Sequence, residues 1–116
     1  MNVDEMLTAT LEPIFPGAVF PNLYTGPLLE YLVWNYQMIP AVYAERAPHA
    51  ARYLIQVHFY LPHKKSPLSA LQALSRALFD AGCTWPGLIN GTDSDGQHWI
   101  LQCEWADGGG YYVSSN

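Results

Sequence analysis

With 116 residues the chain has room for one compact domain and no second core, since domains usually run to roughly 100–150 residues. Half of the residues are hydrophobic, 14% are aromatic and only 13% are charged, where about 25% charged is usual, so apolar or aromatic surface is expected to be buried against partners. Ten acidic residues against five basic ones give a formal charge of −5, and only Lys64 and Lys65 are adjacent among the basic residues. That balance argues against a phosphate-neutralising patch and so against sequence-specific nucleic-acid binding.

Asp4 and Glu5 stand where a signal peptide would carry Lys or Arg, and no apolar run approaches the roughly 18–20 residues of a membrane span. A cytoplasmic protein with no membrane partner is expected. Cys83 and Cys103 are too few and too far apart for a disulfide framework or a zinc knuckle, and read as buried, reduced thiols. They can pair only if the segment between them folds back as a hairpin.

Val3, Met6, Leu7, Thr10 and Leu11 fall at helical spacing, with Asp4 and Glu5 suited to the positive end of the helix dipole, and predict a short helix stopped by Pro13. The 13–21 segment holds three prolines and Gly17, which suits a turn and then a brief strand, short or at a sheet edge. Tyr31, Leu32, Val33, Trp34, Tyr36, Met38 and Ile39 make 30–42 a strand, limited by Pro40. Pro48 breaks the pattern over 45–51. From 52 to 61 the chain alternates strictly, with Tyr53, Ile55, Val57, Phe59 and Leu61 facing a core and Arg52, Gln56, His58 and Tyr60 facing away.

Ser66 is placed to cap a helix that opens on Pro67 and closes at Gly82, with Leu68, Leu71, Leu74, Leu78 and Ala81 as its apolar stripe. Segments 84–89 and 97–105 flank the turn-forming 90–96 run and predict a hairpin, whose second strand alternates the apolar Trp99, Leu101, Cys103 and Trp105 with a mixed face of His98, Ile100, Gln102 and Glu104. The expectation is an α+β domain over 1–107: a mostly antiparallel sheet, one long amphipathic helix packed on it and a short N-terminal helix. Residues 108–116, with Gly108, Gly109 and Gly110, are expected to form a flexible tail.

No cluster of residues carries recognisable chemistry. His49, His58, His63 and His98 include two that can meet across a sheet, His58 and His98, yet no third ligand at zinc spacing accompanies them. Cys83 or Cys103 beside His58 or His98 would make an activated thiolate, but both cysteines sit in core-like contexts. Asp93-Ser94-Asp95-Gly96 starts like a calcium loop and lacks the later glutamate and the flanking helices, so it reads as an acidic turn. No catalytic, cofactor-binding or metal residue is assigned and no cofactor is expected. The surplus of aromatics makes Trp34, Tyr36, Tyr60, Trp99 and Trp105 candidate interface residues, because Tyr and Trp combine contact area with a polar tip.

The element order, the Tyr53-Leu54-Ile55-Gln56-Val57 strand, the helix end Leu78-Phe79-Asp80-Ala81-Gly82 and the late strand near His98 together resemble the small tail-terminator and tail-completion proteins of long-tailed phages and prophages. The likeness spans about residues 2–106 and rests on pattern and order. It implies a non-enzymatic structural protein of the virion, in the host cytoplasm during assembly and then in the tail, that closes into a ring such as a hexamer. The implied partners are copies of itself and the tail-tube and head-connector proteins. The proline-rich 13–27 stretch and the Gly-Gly-Gly-Tyr-Tyr tail depart from that pattern. Two other classes compete: a small binding module using an aromatic sheet face, and a cysteine-dependent hydrolase.

Overall fold

The strictly alternating segment becomes the middle of a five-stranded sheet. The structure, a computed structural model, describes residues 1–44 and 47–107, without side chains at 40–50 and 107. Its elements are α1 (Val3–Leu11), β1 (Val19–Pro21), β2 (Tyr31–Ala44), β3 (Ala47–Leu61), α2 (Leu68–Asp80), β4 (Gly87–Asn90) and β5 (Gln97–Asp107). The strands lie in the order β1-β2-β3-β5-β4. Three of the four pairings are antiparallel and β1 runs parallel to β2, so the architecture is α+β with a mixed, mostly antiparallel sheet. The expected tail at 108–116 lies outside the described residues.

Register decides which side chains share a face. Tyr53, Ile55, Val57 and Phe59 of β3 lie opposite Met38, Tyr36, Trp34 and Leu32 of β2, and opposite Trp105, Cys103, Leu101 and Trp99 of β5. Both helices pack on this face, α1 through Val3, Met6, Leu7 and Leu11 and α2 through Leu71, Leu74 and Leu78, enclosing Phe59, Val57, Ile55 and Leu101 completely or nearly so. The opposite face, carrying Tyr31, Val33, Asn35, Leu54, Gln56, His58, Tyr60, His98, Ile100 and Gln102, has no helix on it.

Local chemistry sets the ends of the helices. Asn2 Oδ1 accepts from the Glu5 N–H at 2.8 Å and Glu5 Oε1 accepts from the Asn2 N–H at 2.9 Å, a reciprocal cap that starts α1. At the end of α2 the Cys83 N–H donates to the Leu78 carbonyl and the Gly82 N–H to the Phe79 carbonyl, with Gly82 at φ 103°. This is the Schellman closure, which a residue with Cβ would strain. Before α2, the Gln97 amide of β5 lies 2.9, 3.2 and 2.6 Å from the carbonyl oxygens of Pro62, His63 and Lys65, pinning the loop that delivers the helix to the sheet.

Four expectations change. The helix on the sheet is not long: α2 has 13 residues and α1 has 9, because Pro67 and Gly82 bound one and Pro13 follows the other. Ser66 Oγ sits 3.4 Å from the Leu68 N–H, too far for a strong cap, and Leu68 itself is exposed. Pro48 lies inside β3, where a missing N–H is tolerated because, among the described residues, pairing with β5 reaches only to Ala51 and the part of β3 before it is paired with β2 alone. The 84–89 strand begins only at Gly87, since Pro86 has no N–H for the ladder, although Thr84 still donates to the Glu104 carbonyl.

Phe59 is completely buried and meets Phe15 edge to face at 5.3 Å between ring centres. Phe59→Ala is expected to lower unfolding free energy by about 3–5 kcal/mol in urea titrations, while Gln72→Ala on the solvent side of α2 stays within about 0.5 kcal/mol.

Candidate functional site

The helix-free face carries a continuous row of rings across four strands. Phe20 of β1 stacks on Tyr24 at 4.0 Å between centres, Tyr24 meets Tyr31 of β2 at 4.7 Å, and Tyr31 stacks on Tyr60 of β3 at 4.8 Å. Tyr60 stacks on His98 of β5 at 4.3 Å, and His98 meets His58 at 5.0 Å. Period-two alternation places these residues together: Tyr31 lies opposite Tyr60, and Tyr60 opposite His98. Each contact adds about 0.5–1.5 kcal/mol beyond its buried area, which holds the face flat where no helix supports it.

The two imidazoles are in direct contact. His58 Nδ1 and His98 Nε2 are 2.7 Å apart, and His58 Nε2 is 3.2 Å from Gln56 Oε1 and 3.3 Å from Asn35 Nδ2. A contact that short accommodates one proton between the nitrogens. Were both rings cationic, two N–H groups would point at each other. Burial pushes the His58 value down and the His98 charge adds to it; burial also lowers His98, against an opposing pull from Asp93.

Two hollows open on this face. One, of about 640 Å³, lies at the end of the ring row between Tyr31, Tyr60, His98, Leu28, Leu29 and Asp93. The other, of about 480 Å³, is floored by Asn35, Gln37, Leu54, Gln56 and Gln102 and is mainly polar. At the helix side, Tyr36 donates to the Asp4 carboxylate at 2.7 Å, and that bond, with some burial, holds its phenol up to about 12.

The five candidate interface residues are split between the faces. Trp34 is a core residue, 5% exposed, because its position on β2 points under the helices. Trp99 and Trp105 are half-buried and pack against the same core from β5. Tyr36 is exposed beside α1, and Tyr60 belongs to the ring row. His58 and His98 meet, His63 lies on the rim of the larger hollow, and the His49 side chain lies outside the described residues. Cys83 and Cys103 sit in the core on the other side of the sheet from His58 and His98, so the thiol–imidazole pairs a hydrolase would use are not brought together. Among the described residues no group of three or more His, Cys, Asp or Glu is placed to hold a metal ion, and no helix is long and apolar enough to cross a membrane.

The exposed apolar residues lie elsewhere than expected. Leu23, Leu28 and Leu29 are exposed in the segment joining β1 to β2, with Leu28 and Leu29 on the larger hollow and Leu29 76% exposed. Phe79, Trp85, Leu88 and Ile89 form a second patch at the β4 edge, where Trp85 is 53% exposed and the Arg76 guanidinium lies 5.3 Å from its ring centre and 5.8 Å from that of Phe79. A signal for the second patch was present: Phe79 follows Gln72 and Arg76 at helical spacing, an apolar residue on the polar side of α2. The chain matches no protein-family model and no curated protein.

Protonation of the His58–His98 pair is favoured in the unfolded chain, whose imidazoles keep their ordinary value of 6.5, over the folded one, where both are lowered. The unfolded state therefore binds more protons, and stability falls as pH drops below about 6.5. Chemical denaturation across pH 7.5 to 5 is expected to show this loss, and His98→Gln is expected to flatten it; an equal slope in that variant would assign the loss to other groups.

Proposed function

We propose that this chain is a ring-forming subunit that terminates or completes a phage or prophage tail tube and joins it to the head connector. The observation that carries the reading is the separation of its two apolar patches. Leu23, Leu28 and Leu29 are exposed in the segment that joins β1 to β2, while Phe79, Trp85, Leu88 and Ile89 are exposed in and around β4, and β1 and β4 are the two outer strands of the sheet. With strands about 4.8 Å apart, five strands hold the outermost two roughly 19 Å from each other.

Different patches on opposite edges suit a heterologous contact, in which one copy's β4 edge meets the next copy's β1 edge; repeated by rotation, it closes as a ring. A self-complementary dimer would need only one of them. The resemblance to tail-terminator and tail-completion proteins rests on an order of helix, two strands, helix and hairpin, which α1, β2, β3, α2 and the β4–β5 hairpin follow with the short β1 added. Ring closure also gives a use to a chain with few charges, and on this reading the chain works in the host cytoplasm during assembly and in the virion tail afterwards. A formal charge of −5 suits a channel that lets DNA pass without adhering.

A second reading draws on a separate observation. The ring row and the adjoining hollow of about 640 Å³ suit a module that holds a peptide or a small ligand on the sheet face. That module needs no self-association and stays monomeric at high concentration.

Light scattering on the purified chain, alone and as charge-substituted variants, separates the readings. Leu29→Glu and Trp85→Glu are each expected to abolish assembly, weakening self-association at least tenfold. An equimolar mixture of the two variants is expected to form dimers and nothing larger, because each supplies the intact patch the other lacks. Assembly that survives both substitutions would remove the edge-to-edge ring.

A further inference from the structure

On the helix side of the sheet two thiols face each other, and neither the ring row nor the exposed edges uses them. The Thr84 N–H donates to the Glu104 carbonyl at 2.9 Å and the Glu104 N–H donates to Thr84 Oγ1 at 2.9 Å, which ties the segment following Cys83 to β5 one residue past Cys103. The Schellman closure turns the chain at Gly82 so that Cys83 enters the core, and β5 alternation points Cys103 to the same face. Both thiols are buried in the same core cluster, with Cys83 3% and Cys103 6% exposed. The segment between them holds the β4–β5 hairpin, so folding back of that hairpin creates the proximity.

The pair is asymmetric. The Cys103 thiol beside it lowers Cys83, against the effect of burial, while the same contact and burial push Cys103 up. One sulfur is therefore the better nucleophile and the other holds its proton longer.

We propose that Cys83 and Cys103 are a dithiol that a low-molecular-weight disulfide, such as oxidised glutathione, converts into an intramolecular disulfide fastening the end of α2 to β5. Cys83 loses its proton to water and its thiolate attacks one sulfur of the oxidant, breaking the S–S bond; a mixed disulfide forms and a glutathione thiolate leaves. Cys103 then gives up its proton and attacks Cys83 Sγ, expelling the second glutathione thiolate. The two protein thiols lose two electrons and two protons, and the oxidant gains them as two glutathione thiols.

Access runs through the end of α2, where Gly82 has no side chain and the Trp105 indole lies over it. Opening of that last turn exposes Cys83 without dismantling the sheet, so oxidation is slow and limited by the opening. A protein folded in a reducing compartment keeps the dithiol, and the same protein in an oxidising medium acquires the staple. The inference does not depend on ring assembly, and it concerns the monomer's own core.

The test is made on the unsubstituted chain, held with oxidised glutathione, then denatured and treated with iodoacetamide without reductant. The expected product is monomeric, has lost two hydrogens, takes up no alkylating group and yields one peptide pair linked through Cys83 and Cys103. Its thermal midpoint rises by about 10 °C and returns on addition of dithiothreitol. Cys103→Ser is expected to stop at the glutathione adduct on Cys83. Two alkylatable thiols after oxidation, or a disulfide found only between two chains, overturns the proposal whatever the oligomeric state.

Discussion

Everything in this fold is arranged around the two-residue period of β3. Among the described residues that strand is the only one paired along most of its length on both sides, and its residues from Ala51 to Leu61 alternate between burial and exposure at every step. A shift of one residue against either neighbour would turn Ile55, Val57 and Phe59 out to water and Gln56 and His58 into the core. Full burial of each of those large apolar side chains contributes about 1.5–3 kcal/mol, so the register is held far more firmly by the core than by the ladder bonds, which survive a shift.

Given that register, the two faces have different problems. Nine- and thirteen-residue helices are too short to stand alone, and each is stable because the sheet receives its apolar stripe. The other face has no helix to receive, and it still contains Val33, Tyr31, Tyr60 and Ile100. Stacking the rings face to face across strands shields their faces from water without a covering layer, and the His58–His98 contact ends the row in a polar group. The cost is sensitivity: a shared proton in a half-buried contact is stable only while one ring stays neutral.

Much of this was legible in the residues. Period-two alternation over 52–61, the helical stripe of Leu71, Leu74 and Leu78, and the glycine at 82 are local signals whose physics acts within one element, and each appears in the structure where its pattern lies. Trp34 and Trp99 illustrate what was not. Aromatic excess says that some rings must leave the core, but which ones depends on strand register against α1 and α2, a long-range property. Trp85 was passed over because it lies between Thr84 and Pro86 in an irregular segment with no periodicity to assign it a side. The meeting of His58 with His98, and of Cys83 with Cys103, needed β5 placed beside β3 and beside the end of α2; either hairpin register would have satisfied the sequence pattern.

Charge then decides which surfaces remain available for association. Three of the basic residues are already engaged: Arg52 lies 3.4 Å from Glu104, Lys65 2.6 Å from Glu30 and Arg76 3.7 Å from Asp80. These exposed pairs contribute little to stability, but they neutralise the β5 and α2 surfaces. Among the described residues no such pairing is found on α1, where Asp4, Glu5 and the capping Glu12 have no basic residue in the helix. Two copies approaching through α1 would set like charges against each other, a repulsion that salt weakens over a distance of about 8–10 Å. An edge bearing Trp85 and Leu88 beside a neutralised Arg76 meets no such barrier. Like-charge repulsion at α1 and apolar surface at the sheet edges therefore act in the same direction, and both favour neighbours that meet side to side in the plane of the sheet.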